Sequence, residues 1–82
     1  MMTKEEIILH VNSIMGAKAH VSPDVIKPED FYDELGADSL QCIEALIELE
    51  QEFDIEITPD DTFNVVTMQE VYNMVERKIN NQ

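Results

Sequence analysis

The residues able to do chemistry are few in this chain, and they gather at one place: Asp38 and Ser39, with Cys42 three positions on. A serine becomes a nucleophile when a base is held within hydrogen-bond reach and an oxyanion hole lies beside it. The two histidines are His10, on a helical stretch, and His20, in a connecting segment, and spacing sets neither against Ser39. Ala37-Asp38-Ser39-Leu40-Gln41 is not the Gly-x-Ser-x-Gly elbow of hydrolases either. No catalytic residue is expected, and the chain reads as a non-enzyme. With Asp38 as the helix cap, Ser39 takes the first helical position, where unpaired backbone amides and the positive end of the dipole meet solvent. A phosphate on or against Ser39 would be stabilised there. Helix starts also use Asp and Ser as plain caps, so spacing alone leaves both uses open. The single cysteine closes no intramolecular disulfide and reads as a small apolar filler. No calcium-binding loop pattern is present, and no metal site is expected.

Charge narrows the partners. The 82 residues carry 18 Asp and Glu against 5 Lys and Arg, a formal net charge of -13. Between Pro28 and Glu76 there is no Lys or Arg, while 15 of the acids fall there. Such a surface repels nucleic acid and anionic membrane and attracts basic protein patches. Hydrophobic residues at 44% set the chain apart from a disordered acidic tail. A chain this short builds one modest core, so a single domain over residues 1–82 is expected, acting as a monomer. The start, MMTKEEIILHVNS, carries acids and no long apolar run, which argues against a signal peptide or membrane span and for the cytoplasm.

Four helices must position the Asp-Ser step. Thr3 with Glu6 is a capping box, and Ile7, Ile8, Val11, Ile14 and Met15 recur at helical spacing, which predicts a first helix from about Lys4 to Met15, ending near Gly16. From Gly16 to Ala37 two prolines, two glycines and a Ser-Pro step break periodicity, while Val21, Val25, Ile26, Phe31 and Leu35 argue that this crossover packs back on the bundle. A turn or so of helix is expected over Glu29 to Leu35, stopped at Gly36. Asp38 and Gln41 form a second box, and Leu40, Ile43, Leu46, Ile47, Leu49 and Phe53 predict a second helix over Ser39 to Phe53, with Glu44, Glu48, Gln51 and Glu52 on its other face. Thr58 as cap, Pro59 at the first helical position and Asp61 in the first turn predict a short third helix. Thr67 and Glu70 start a fourth, with Met68, Val71, Tyr72, Val75 and Ile79 on one stripe and Arg77 and Lys78 at its dipole-favoured end. Ile55 to Ile57 alternates like a strand but is too short for one. The fold class is all-α: a small four-helix bundle, three longer helices and one short, with a long ordered crossover between the first two.

The 25-residue frame DELGADSLQCIEALIELEQEFDIEI, Asp33 to Ile57, resembles the acyl carrier protein signature: Leu and Gly, then Asp-Ser-Leu, then a Glu-bearing helix ending in Glu-x-Phe and a short x-Ile-x-Ile. The likeness continues through TPDDTFNVVTMQEVYNMV and covers nearly the whole chain. It implies a carrier on which Ser39, flanked by Asp38 and Leu40, receives 4′-phosphopantetheine from coenzyme A through a separate phosphopantetheinyl transferase. The arm's thiol would carry acyl groups as thioesters to acyl-transferring and elongating enzymes of fatty-acid, lipid or related synthesis. Carried over by position, Leu40, Ile43, Glu44, Ile47, Glu48 and Glu50 form the face read by basic docking patches. Phe31, Leu49, Phe53, Ile57, Val65, Val71 and Val75 match the family's bundle interior, where acyl chains shelter and which also serves as ordinary core.

The departures from the pattern are Gln41 in place of Asp or Glu, Ala45 in place of a larger aliphatic residue, and Glu48 in place of a small one. Val71 and Tyr72 are bulkier than usual, and Thr58 replaces a proline that follows one place later. They suggest a specialised carrier with a narrow acyl range. Amino-acyl carriers show Gly-Gly-x-Ser-Leu, against which Gly36-Ala37-Asp38 argues; a polyketide-type carrier and an unmodified acidic docking module are the other readings. Repulsion among the closely set carboxylates should destabilise the fold at low ionic strength. The melting temperature is therefore expected to rise with added sodium chloride or magnesium; a flat salt dependence would refute this.

Overall fold

The computed structural model describes residues 2–81. Four helices follow in order: α1 (Lys4–Ala19), α2 (Ser39–Phe53), α3 (Pro59–Phe63) and α4 (Met68–Asn80). The crossover holds two 3-10 turns, Pro23–Val25 and Tyr32–Glu34. All four helices begin with a reciprocal capping box, at Thr3 with Glu6, Asp38 with Gln41, Thr58 with Asp61 and Thr67 with Glu70. Each box satisfies amides that a helix start leaves unpaired, which is why these starts are sharp. Ile55 to Ile57 has no strand pairing, as its length implied.

The core is aliphatic and sulfur-rich. Ile7, Val11 and Met15 of α1 meet Ala45, Leu49 and Phe53 of α2 and Met68, Val71, Tyr72, Met74 and Val75 of α4. Ile26 and Val65 add one buried side chain each from the connecting segments. One polar pair is enclosed with them: the Tyr72 hydroxyl donates to Oδ1 of Asn12, joining α4 to α1. A buried amide is tolerated there because it has that partner.

Two expectations need correcting. The first helix does not stop near Gly16 but runs to Ala19, with His20 in the left-handed conformation (φ 61, ψ 39) as its cap. Gly16 is inside the helix because the chain doubles back over it. The amides of His20 and Val21 both donate to the Gly16 carbonyl, and a Cβ on Gly16 would lie 2.7 Å from the Val21 carbonyl oxygen. The close approach lets Ile26 reach the core. The turn of helix expected over Glu29 to Leu35 shrinks to Tyr32–Glu34, because Phe31 is extended and bridges to Thr67.

That bridge also explains how the crossover is held. Carbonyls of Asp30 and Pro28 accept from the amides of Met68 and Gln69, at 2.8 and 2.9 Å, while Tyr32 donates to the Val66 carbonyl at 3.1 Å. The first unpaired amides of α4 are thus satisfied by the crossover rather than by water. The Cα radius of gyration, 11.4 Å, is close to the roughly 12 Å expected for a folded chain of this length, so the long connection lies flat on the bundle. Gly16→Ala is expected to cost about 1–3 kcal/mol through steric strain, despite a helix-propensity gain of about 1 kcal/mol. Denaturant unfolding checks it, and a variant as stable as the wild type would show that the loop yields freely.

Candidate functional site

The site is built on the start of α2. The Asp38 carboxylate accepts from the Gln41 amide at 2.8 Å and the Gln41 side chain accepts from the Asp38 amide at 2.9 Å. The box fixes the first turn and leaves the amides of Ser39 and Leu40 without an acceptor among the described residues. Ser39 is exposed at that point, and its hydroxyl forms no hydrogen bond among the described residues. Gly36 prepares the approach with φ +118, a conformation that residues with a Cβ rarely adopt.

Among the described residues, nothing beside Ser39 makes it a nucleophile. His10 Nδ1 lies 2.9 Å from Glu52 Oε2, near the far end of α2, a rise of about 20 Å along the helix from Ser39. His20 caps α1 and forms no hydrogen bond to Ser39. Burial pushes the Cys42 thiol up, with Asp33 and Asp38 adding to the shift, so the thiol is kept protonated one turn from Ser39. What the arrangement can do is hold an anion. The first turns of α1, α3 and α4 each carry acidic side chains, whereas that of α2 carries none, because Gln41 stands at the third position. Beyond the Asp38 cap, the positive end of the α2 dipole is open to a further negative group.

From Ser39 an open cleft of about 560 Å³ runs between the crossover, α2 and α3, lined by Tyr32, Asp33, Ala37, Asp38, Cys42, Ile43, Leu46 and Thr62. A second, of about 250 Å³, shares Ile43, Leu46 and Thr62 with it and continues past Ile47 to Ile57, Thr58 and Pro59. Together they form a trough with α2 as floor and α3 as outer wall. Of the residues expected to shelter a chain, only Ile57 borders this trough. Leu49, Phe53, Val65, Val71 and Val75 are close-packed core. Phe31 is not interior at all: it is 47% exposed, because its extended bridge to Thr67 sets it on the outer side of the crossover, in a groove with Val25. Tyr32, Cys42, Leu46 and Thr62 were missed as lining residues, and only their nearness to Ser39 in sequence or their position on the predicted helices could have signalled them.

The outward face of α2 divides in two. Leu40, Ile43 and Ile47 stand exposed at 64, 55 and 47%, a stripe of large apolar side chains left open to solvent. Glu44 is exposed on the same helix. The other acids of the expected face are engaged within the fold: Glu48 pairs with Lys18 at 2.8 Å, and Glu50 accepts from the Ile57 amide at 2.8 Å. The Glu48 carboxylate in turn raises the Lys18 pKa through their hydrogen bond.

Comparison with known proteins agrees with this geometry. The family profile described as phosphopantetheine attachment site matches residues 10–75. The acyl carrier protein of Chlorobium phaeovibrioides is 42% identical over 78 residues, which is 94% of this chain and 100% of that one. That of Bdellovibrio bacteriovorus is 41% identical over 69 residues, 83% of this chain and 88% of the other. The acyl carrier protein of Cyanidium caldarium is 36% identical over 83 residues, covering 100% and 96%.

The outer wall of the trough is held by charge. Lys78 Nζ lies 2.7 Å from Asp61 Oδ2, and the same carboxylate accepts from the Thr58 amide and hydroxyl at 2.8 and 2.9 Å. Lys78 first, then the Thr58 amide, bring the Asp61 pKa from 3.8 down to about 2. A carboxyl whose pKa is lower in the folded chain stabilises it above the unfolded value, and that contribution fades as pH falls through the folded one. The stability difference between wild type and Asp61→Asn is therefore expected to be constant above about pH 4 and to vanish towards pH 2. Thermal unfolding of both across that range checks it; a difference independent of pH would mean that the carboxylate stays charged throughout or contributes nothing.

Proposed function

Because this chain belongs to the acyl carrier protein family, we propose that Ser39 is the residue that bears its 4′-phosphopantetheine. The protein carries acyl groups rather than transforming them and serves biosynthetic enzymes. When attached, the arm supplies a terminal thiol that holds acyl groups as thioesters. The observation that carries the assignment is the start of α2: an exposed hydroxyl beside two amides with no acceptor among the described residues, in a first turn free of carboxylates. A phosphodiester on Ser39 Oγ would take those amides and the dipole, while Gln41 in place of a carboxylate spares it a negative neighbour. No local base is needed, because a separate phosphopantetheinyl transferase brings one together with coenzyme A.

The acyl chain on that arm shelters in the trough along Cys42, Ile43, Leu46, Ile57 and Thr62, above the packed interior of Leu49, Phe53, Val65, Val71 and Val75. Partner enzymes dock on the exposed stripe of Leu40, Ile43 and Ile47 with Glu44 alongside; Glu48 and Glu50 shape that face from within the fold. Apolar anchors ringed by acids fit partners with basic patches, for which the steering charge of -13 is suited. The chain works in the cytoplasm as one carrier domain with a narrowed acyl range. Among the described residues no helix is long and apolar enough to cross a membrane.

Incubation with coenzyme A and a broad-specificity phosphopantetheinyl transferase is expected to raise the intact mass by one phosphopantetheinyl group. Ser39→Ala should keep its helical signal, since Asp38 and Gln41 still close the cap, and should gain nothing. Modification of the alanine variant, or of neither chain by several transferases, would refute the assignment.

A further inference from the structure

The third helix is unusual in what holds it. It fully buries none of its five residues, so packing holds it only weakly. Its ends are tied: Glu50 of α2 binds the Ile57 amide just before it, and Val65 just after it is buried in the core. Between those ends, the caps at Thr58, Thr62 and Asn64 are bonds within the segment, which shape the helix without attaching it to the bundle. Among the described residues, the one side-chain bond from α3 to another helix is that of Asp61 to Lys78 on α4. Both partners are largely withdrawn from solvent, with side-chain exposures of 16% and 27%, so this pair is screened less than a surface one.

Opposite that bond, Pro59 and Thr62 of the same helix line the trough. One wall of the trough is thus a helix with no fully buried side chain, held to its neighbour by one ion pair. A guest that fits between α2 and α3 leaves the pair intact. A longer or bulkier one must displace α3 and stretch a charge-assisted hydrogen bond, which costs more than a neutral one.

Resting on the reading of Ser39 as the attachment point, we propose that Lys78 is a specificity-determining residue: its bond to Asp61 fixes the wall of the trough and so limits the acyl chains the carrier shelters. Lys78 touches no substrate; it acts through the position of α3. Removing its charge frees the wall, and the accepted range widens at the long end. Arginine at the same place keeps a donor and a charge and preserves the limit.

The test compares wild type, Lys78→Met and Lys78→Arg, each loaded from butyryl-, octanoyl-, dodecanoyl- and palmitoyl-coenzyme A by a broad-specificity transferase, with loading confirmed by intact mass. The rise in melting temperature on acylation reports how much of each chain is sheltered. Wild type and Lys78→Arg are expected to stop gaining at the same chain length, and Lys78→Met to go on gaining beyond it. In the unloaded proteins, amide hydrogen exchange over α3 should be roughly tenfold faster in Lys78→Met, with the buried amides of α2 and α4 unchanged. A single chain-length limit for all three, or unchanged exchange over α3, would overturn the role of Lys78 alone. Chains that accept no acyl-phosphopantetheine at all would overturn the reading of Ser39, and this proposal with it.

Discussion

The fold rests on carboxylates bound to backbone amides. With 18 acids and 5 Lys and Arg, ion pairing alone cannot compensate the charge. Instead Glu6, Asp30, Asp38, Glu50, Asp61 and Glu70 each accept from a main-chain N–H at 2.8 to 3.0 Å. Four of these bonds lie in capping boxes, where the carboxylate also meets the positive end of a helix dipole; at α2 the acid is the cap itself. The amides lower the pKa of Glu6 and Glu70, so these groups stay ionised and bonded well into mild acid. Amides thus do for this chain much of what lysines do elsewhere, and the acidic surface stays available for meeting other proteins.

The same economy divides the molecule into firm and loose parts. The start of α2 is fixed by its box and by Cys42 and Ala45 buried beneath its first turns, with Leu49 and Phe53 anchoring the rest of the helix. Ser39 therefore stands on a rigid platform, which suits the attachment role proposed for it. The trough beside it has no such backing on its α3 side. On the proposed reading the two parts differ in need, since an attachment point must be constant while the cargo changes. Among the described residues, Lys18 to Glu48 and His10 to Glu52 join α1 to the middle and far end of α2, and the Asp61–Lys78 ion pair reaches α3.

Helix starts were legible because each is written in four residues: Thr3 to Glu6, Asp38 to Gln41, Thr58 to Asp61 and Thr67 to Glu70. The span Ser39–Phe53 follows from its cap and apolar period alone. Less legible was whatever depends on two distant pieces of chain approaching. Gly16 reads as a stop by type, yet its use is to make room for the Val21 carbonyl, which no local pattern encodes. Phe31 reads as core by hydropathy, yet a bridge to Thr67, 36 positions away, turns it outward. The trough shows the same limit, because hydropathy marks side chains that avoid water and not the places where they fail to fill space. Leu49 and Leu46 are alike as letters; one is fully buried and the other borders the cleft.

The hydrogen bond between Tyr72 and Asn12 has a consequence for how this sequence can vary over generations. The two residues lie 60 positions apart and are enclosed by apolar neighbours. Losing the phenol hydroxyl alone strands a buried amide oxygen, at a cost of about 1–3 kcal/mol, whereas replacing both with apolar groups of the same shape is nearly neutral. Positions 12 and 72 therefore make one heritable unit. A lineage leaves the pair in a single paired step or through a weakened intermediate.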